Sequence, residues 1–430
     1  VPEGFKGMLG SCWLYDWLDV NHVRNASQAI RLLSQPKVRE SLANLAIESK
    51  RDTCDGPLPS DGVPIVAARG IDLSGELGCV HFECLEREVE TLFRRVWHYF
   101  DYIVVAEPPQ EVAIAYGRKQ SPDLERILIN CIKLLLYLRK IGADKLLFFK
   151  RKAAFCEKHS YENMAVAGAA GIHNWAAKLV DKVAAEAEVT KLGEVLFKVS
   201  HPAVGTNVVR KEAVLNEVNL RCELSNELVT RHIAGVSSDL FTSKLLGAPL
   251  GSVLPFYKEI LTSFDSDLIA GVGLEPVASV AFELNLPVLD GVSIETLLAL
   301  RQDESPYFER FRAALRRAIR EKIDSGKARS PDKIAEEIKK DVIQPALSEI
   351  EIKLRLSLKS LVFKGMSGVG LSSVMTIAGV CLNHPLLTAA GLAPALVTTI
   401  NATQKYIEER RDVKLSDMYF LWEAHKHGAA

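Results

Sequence analysis

Between Phe82 and Phe100 the apolar positions Leu85, Val89, Leu92, Val96 and Tyr99 recur three or four apart, the spacing of one helix face. The pattern then changes to the compact run Tyr102-Ile103-Val104-Val105-Ala106, which reads as a strand buried on both sides. A second helix is expected from Pro122 to about Ile141, with Ser121 as cap and Pro122 at the first helical position, where the missing N–H costs nothing. Gly142-Ala143-Asp144 ends it, and Lys145–Phe149 is the next strand. Helix, strand, helix, strand in about 70 residues is the rhythm of an α/β layer. Shorter strands are expected at Phe5–Leu14 and Pro64–Ala68, and helices at Ala26–Leu33 and Val38–Ala46. The turn-rich segment 52–62 reads as an exposed loop.

After Lys152 the spacing is mostly helical. Ile172–Ala187 and Glu212–Leu246 are expected helices, and Val195–Val199 and Val277–Leu284 expected strands. Ser293, then Ser305-Pro306 and Ser330-Pro331, open three further helices. In the second of these Phe308, Phe311, Leu315 and Ile319 make one apolar stripe. In the third, Leu347, Ile350, Leu354, Leu358 and Leu361 form a seam facing one partner, with Pro345 kinking the helix near its start. Met418–Trp422 reads as a short amphipathic helix that docks its aromatics.

One stretch breaks this regime. From Gly365 to Gln404 forty residues pass without a Lys, Arg, Asp or Glu, in a chain that is 25% charged. The apolar runs 369–382 and 386–400 are separated by Asn383-His384-Pro385. Each is shorter than the ~20 residues that cross a ~30 Å hydrocarbon core. The pattern therefore predicts a buried apolar helical hairpin, ended between its halves by Pro385. The alternative is a hairpin that meets lipid through its small residues. His384 is expected to cap the first helix, its alternative being a pH-sensitive tip.

The fold class expected is α+β, predominantly helical. An α/β layer occupies 1–155, a mostly helical region with one or two strands 156–325, and a module of long kinked helix, apolar hairpin and C-terminal amphipathic helix 326–430. Composition narrows the partners. Fifty-three basic residues stand against 54 acidic ones, which gives no bulk-charge signal for nucleic acid. The eight cysteines are scattered, with no Cys-x-x-Cys, which fits reduced thiols and a cytoplasmic home. No signal peptide is visible.

Candidate chemistry is sparse, and no cofactor is identified. Gly365-Met-Ser-Gly368-Val-Gly370 and Gly271-Val-Gly273 lack the strand, and the Gly-Lys-Ser/Thr, that a phosphate loop needs. Cys79-Val-His81-Phe-Glu83-Cys84 is one irregular cluster, short of a four-ligand zinc site. The remaining candidates are acid–base groups expected at strand ends: Asp16 and Asp19 after the first strand, Glu107 after Tyr102–Ala106, and His201 in Ser200-His201-Pro202. In an α/β layer such positions line the ligand crevice, and converging carboxylates would hold a divalent ion for phosphoester chemistry. The structural alternative is that they are ordinary turn residues. Three functions follow: a non-catalytic interaction or scaffold protein, self-associating through the leucine seam or binding a protein partner; a metal-dependent hydrolase or nuclease; and an effector exposing 369–400 to membranes.

Overall fold

The computed structural model describes residues 9–51, 58–59, 62–67, 82–150, 159–166, 169, 171–211, 216–251, 255–264, 276–284, 286, 292–325, 331–350, 352, 413–414 and 416–428. The architecture is α+β and predominantly helical, with its strands in the first two-thirds of the chain and a helical C-terminal region. Two compact units are present, Val1–Phe282 and Glu283–Ala430.

The first unit is built on a four-stranded parallel sheet. Its strands are β1 (Pro64–Ala67), β2 (Tyr102–Ala106), β3 (Leu147–Lys150) and β7 (Leu250–Gly251), in the order β3-β2-β1-β7. Helix α4 (Phe82–Val96) crosses from β1 to β2; α5 (Gln110–Arg118) and α6 (Pro122–Lys140) lie between β2 and β3. Both faces are covered, which is why the strands read as unbroken apolar runs. Val66, Val104, Phe148 and Leu250 share a register and join a core with α8 (Ile172–Glu186), α9 (Glu217–Leu246) and α10 (Pro255–Ser263). On the opposite face Phe149 meets Tyr15 of α1 (Trp13–Val20) edge to face, with ring centroids 5.7 Å apart.

Three strands form a separate antiparallel meander: β4 (Glu188–Lys191), β5 (Leu196–His201) and β6 (Gly205–Arg210). Its inner side, Phe197, Val199 and Val209, continues the core around α9. Only part of β5 was expected; β4 and β6, with their Lys, Thr and Asn, were not.

Two expected strands are helices. Residues 13–20, assigned in part to a strand at Phe5–Leu14, form α1, because Trp13, Leu14, Trp17 and Leu18 are buried on a helical stripe. Of the strand expected at 277–284, residues 277–283 belong to α11 (Pro276–Glu283), which Pro276 opens at the first helical position. There Val277, Ala278, Val280, Ala281 and Phe282 are all buried, and an apolar run of this length is equally compatible with either element.

In the second unit α12 (Ile294–Asp303) follows its expected cap, Ser293, which accepts the Thr296 amide at 3.1 Å, whereas α13 (Ser305–Asp324) begins at Ser305 itself, with Glu304 in the cap position and Pro306 in the first turn. The stripe on α13 packs against α15 (Tyr419–Gly428): Phe420 lies 5.2 Å from Phe308 and 6.1 Å from Phe311, centroid to centroid. The helix opened by Pro331, α14 (Pro331–Ile338), continues as a π turn over Lys339–Ile343. Pro345 has no N–H for the carbonyl of Asp341 and clashes with it in a regular helix, and the widened turn absorbs that conflict. The stretch 369–400, the glycine loops and the Cys79–Cys84 cluster lie outside the described residues except for Phe82, Glu83 and Cys84, which open α4.

Candidate functional site

The N-terminal acids are strung along α1. The Trp13 indole N–H donates to the Pro108 carbonyl at 2.8 Å, which fixes the start of the helix beside the carboxyl end of β2. Cys12 precedes it, fully buried; burial pushes its thiol well above the ordinary range, and Glu107 and Asp16 push in the same direction, so the sulfur stays protonated. Glu107 extends the ladder, its N–H donating to the Lys150 carbonyl at 2.9 Å. Its carboxylate accepts from the Gln110 amide at 2.8 Å.

Asp16 and Asp19 sit one turn apart on α1. Asp16 is half-buried, and burial, then the charge of Asp19, hold its carboxyl above the ordinary carboxylate range. Asp19 closes a two-point clamp: its oxygens accept from the two terminal nitrogens of Arg139 at 2.6 and 3.2 Å. The same guanidinium lies 4.4 Å from the centroid of the Tyr15 ring. Its Nε is 4.0 Å from Asp144, another carboxyl that burial raises. Tyr15 in turn donates to the Leu135 carbonyl at 2.8 Å. The end of α6 thus grips the end of α1 through one arginine held by two acids and a ring.

Asp16 and Glu107 are brought near one thiol, while Asp19 lies seven residues beyond Cys12, about 10 Å along the helix at 1.5 Å per residue. His201 belongs to the meander. Its Nε2 is 3.3 Å from Glu186 and its Nδ1 accepts the Ala203 amide at 3.1 Å, which closes the turn between β5 and β6. Its partners are thus in the meander and at the end of α8, not among the acids along α1. Among the described residues no group of three or more His, Cys, Asp or Glu is arranged to hold a metal ion. Sequence reasoning missed Arg139, Tyr15 and Asp144. The only signal was Arg139 in the last turn of an expected helix, and its partner Asp19 is 120 residues away.

Compared with known proteins, the chain matches no family model, no curated protein and no solved structure. Among the described residues no helix is long and apolar enough to cross a membrane.

Proposed function

We propose that this chain is an interaction protein that self-associates through its leucine seam, and that the acids of the N-terminal layer hold the fold instead of acting on a substrate. The observation that carries this reading is the clamp of Asp19 on Arg139, with both carboxylate oxygens engaged. A carboxylate in that state has to give up a charge-assisted pair before it ligates a metal or takes a proton. Glu107 and His201 are likewise engaged, by Gln110 and by Glu186 with the Ala203 amide.

The seam is assigned to a second copy of the chain. Leu347, Ile350, Leu354, Leu358 and Leu361 are spaced three and four apart, the pattern of one apolar stripe. The helix opened by Pro331 runs through the π turn to residue 350, where Ile350 is already buried within the chain, and Leu354, Leu358 and Leu361 lie outside the described residues. Beyond the seam, the charge-free stretch 365–404 is assigned to a helical hairpin packed against protein, because neither apolar half reaches spanning length.

Sedimentation velocity at micromolar concentration tests the association. The expected species has twice the 47.4 kDa of one chain, and Leu354→Glu with Leu358→Glu returns it to monomer. A native chain that stays monomeric up to 100 µM sinks the seam. For the hairpin, co-sedimentation with liposomes is expected to be negligible for the native chain; binding that Ala378→Glu with Ala395→Glu abolishes places the stretch in lipid instead.

A further inference from the structure

Three helices of the first unit, α1, α6 and α9, end in the same two-bond motif. In α6 the Ala143 amide reaches the Leu138 carbonyl and the Gly142 amide that of Arg139; in α9 Ala248 reaches Ser243 and Gly247 reaches Lys244. In α1 Val23 reaches Leu18 at 2.8 Å and His22 reaches Asp19 at 3.1 Å. The residue after the cap must be left-handed, and glycine supplies this at Gly142 (φ 72°) and Gly247 (φ 61°). In α1 the position holds His22 at φ 53°, the one non-glycine residue with positive φ among the described residues. A strained backbone at a ring-bearing side chain directs attention to what the ring faces.

His22 lines a cavity of about 410 Å³ between the ends of α1 and α6, within the span of small-molecule pockets. Leu18, Val23 and Leu136 give it an apolar floor, while His22, Arg24, Arg139 and Lys140 surround it with Asp19 as the one carboxylate. Arg139 is consumed by Asp19. His22, Arg24 and Lys140 are exposed, and no ion pair among the described residues engages them. Cations in a last turn ordinarily answer the helix dipole, and Arg139 and Lys140 do so for α6. Arg24 and His22 are outside any helix. With Asp144 also against Arg139, three permanent cations meet two carboxylates, and two helix C-termini at about half a negative charge each bring the sum near zero, so what the cavity offers an anion is the two exposed heads of Arg24 and Lys140.

We propose that this cavity binds a small phosphorylated molecule, with Arg24 and Lys140 on the phosphoryl oxygens, the His22 ring beside them, and the apolar body on Leu18, Val23 and Leu136. Guanidinium and ammonium groups suit phosphoryl oxygens, and the floor sets the class apart from free phosphate. The site stands independently of the self-association proposed above.

Calorimetric titration of the intact chain with phenyl phosphate tests it, with inorganic phosphate and phenol as separate arms. Phenyl phosphate is expected to saturate one site per chain and to bind at least tenfold more tightly than either fragment. Arg24→Ala with Lys140→Ala should weaken it at least tenfold while the unfolding midpoint stays within a degree or two; Arg24→Lys should keep most of the affinity. His22→Gly should raise the unfolding midpoint, because glycine relieves the left-handed position, and still weaken phenyl phosphate. A purely structural histidine would give the first effect without the second. The proposal is overturned by no saturable binding, by equal affinity for phosphate and phenyl phosphate, or by unchanged affinity in the double alanine variant.

Discussion

The two sheets of the first unit differ in how much of each strand the fold buries. In the parallel sheet β2 buries four consecutive residues, Tyr102 to Val105, because helices cover both faces. In the meander β5 buries Phe197, Val199 and His201 and leaves Leu196 and Lys198 exposed, because one face carries the core and the other meets solvent. A parallel sheet needs crossovers, its crossovers are helices, and helices cover faces; a meander turns back through short loops and covers nothing. The difference is one of connection before it is one of composition.

Substitutions sharpen this contrast. The largest effect is expected for Phe148→Ala in β3, which removes a ring from a core shared with α8 and α9; denaturant unfolding should fall by about 3–5 kcal/mol. A loss under 1 kcal/mol would mean that the sheet face is not packed as described. Next is Asp16→Asn on α1, beside the parallel sheet. A carboxyl raised by burial keeps its proton more readily in the folded chain, so the native acid lowers stability as pH rises from its ordinary value of 3.8 through the folded one. The variant should therefore be more stable than the native chain at pH 7, with the gap closing as pH falls through the folded value towards 3.8 and absent below it. A gap independent of pH would remove the burial effect from Asp16. The smallest change is expected for Leu196→Ser on the outer face of the meander, within about 0.5 kcal/mol by the same unfolding assay. A larger loss there would mean that something covers this face.

Legibility in the sequence follows the same division. Tyr102–Ala106 and the strand near Phe148 were readable because burial on both sides leaves no polar residue to interrupt the run. Glu188–Lys191 and Gly205–Arg210 were not, since strands with one wet face carry Lys, Thr and Asn and are too short to establish a period. Val277 to Phe282 was misread for the opposite reason: burial on every side erases helical spacing as readily as strand alternation. The helix starts at Ser293 and Pro331 were legible because capping and a proline in the first turn are local chemistry. At the candidate site the side chains were visible but their partners were not. Asp19 and Arg139 are 120 residues apart, and nothing local to His22 announces a left-handed backbone where glycine usually stands.

That clamp is where the account is most directly exposed. A double-mutant cycle on Asp19→Asn and Arg139→Gln, read by equilibrium unfolding, isolates their coupling from the rest of the fold. The two side chains are 60% and 35% exposed, so the coupling expected after solvent screening is about 0.5–1 kcal/mol, near the upper end for surface pairs because the contact is two-pointed. A coupling indistinguishable from zero would contradict the account, leaving the Asp19 carboxylate unheld and available for the chemistry denied to it above.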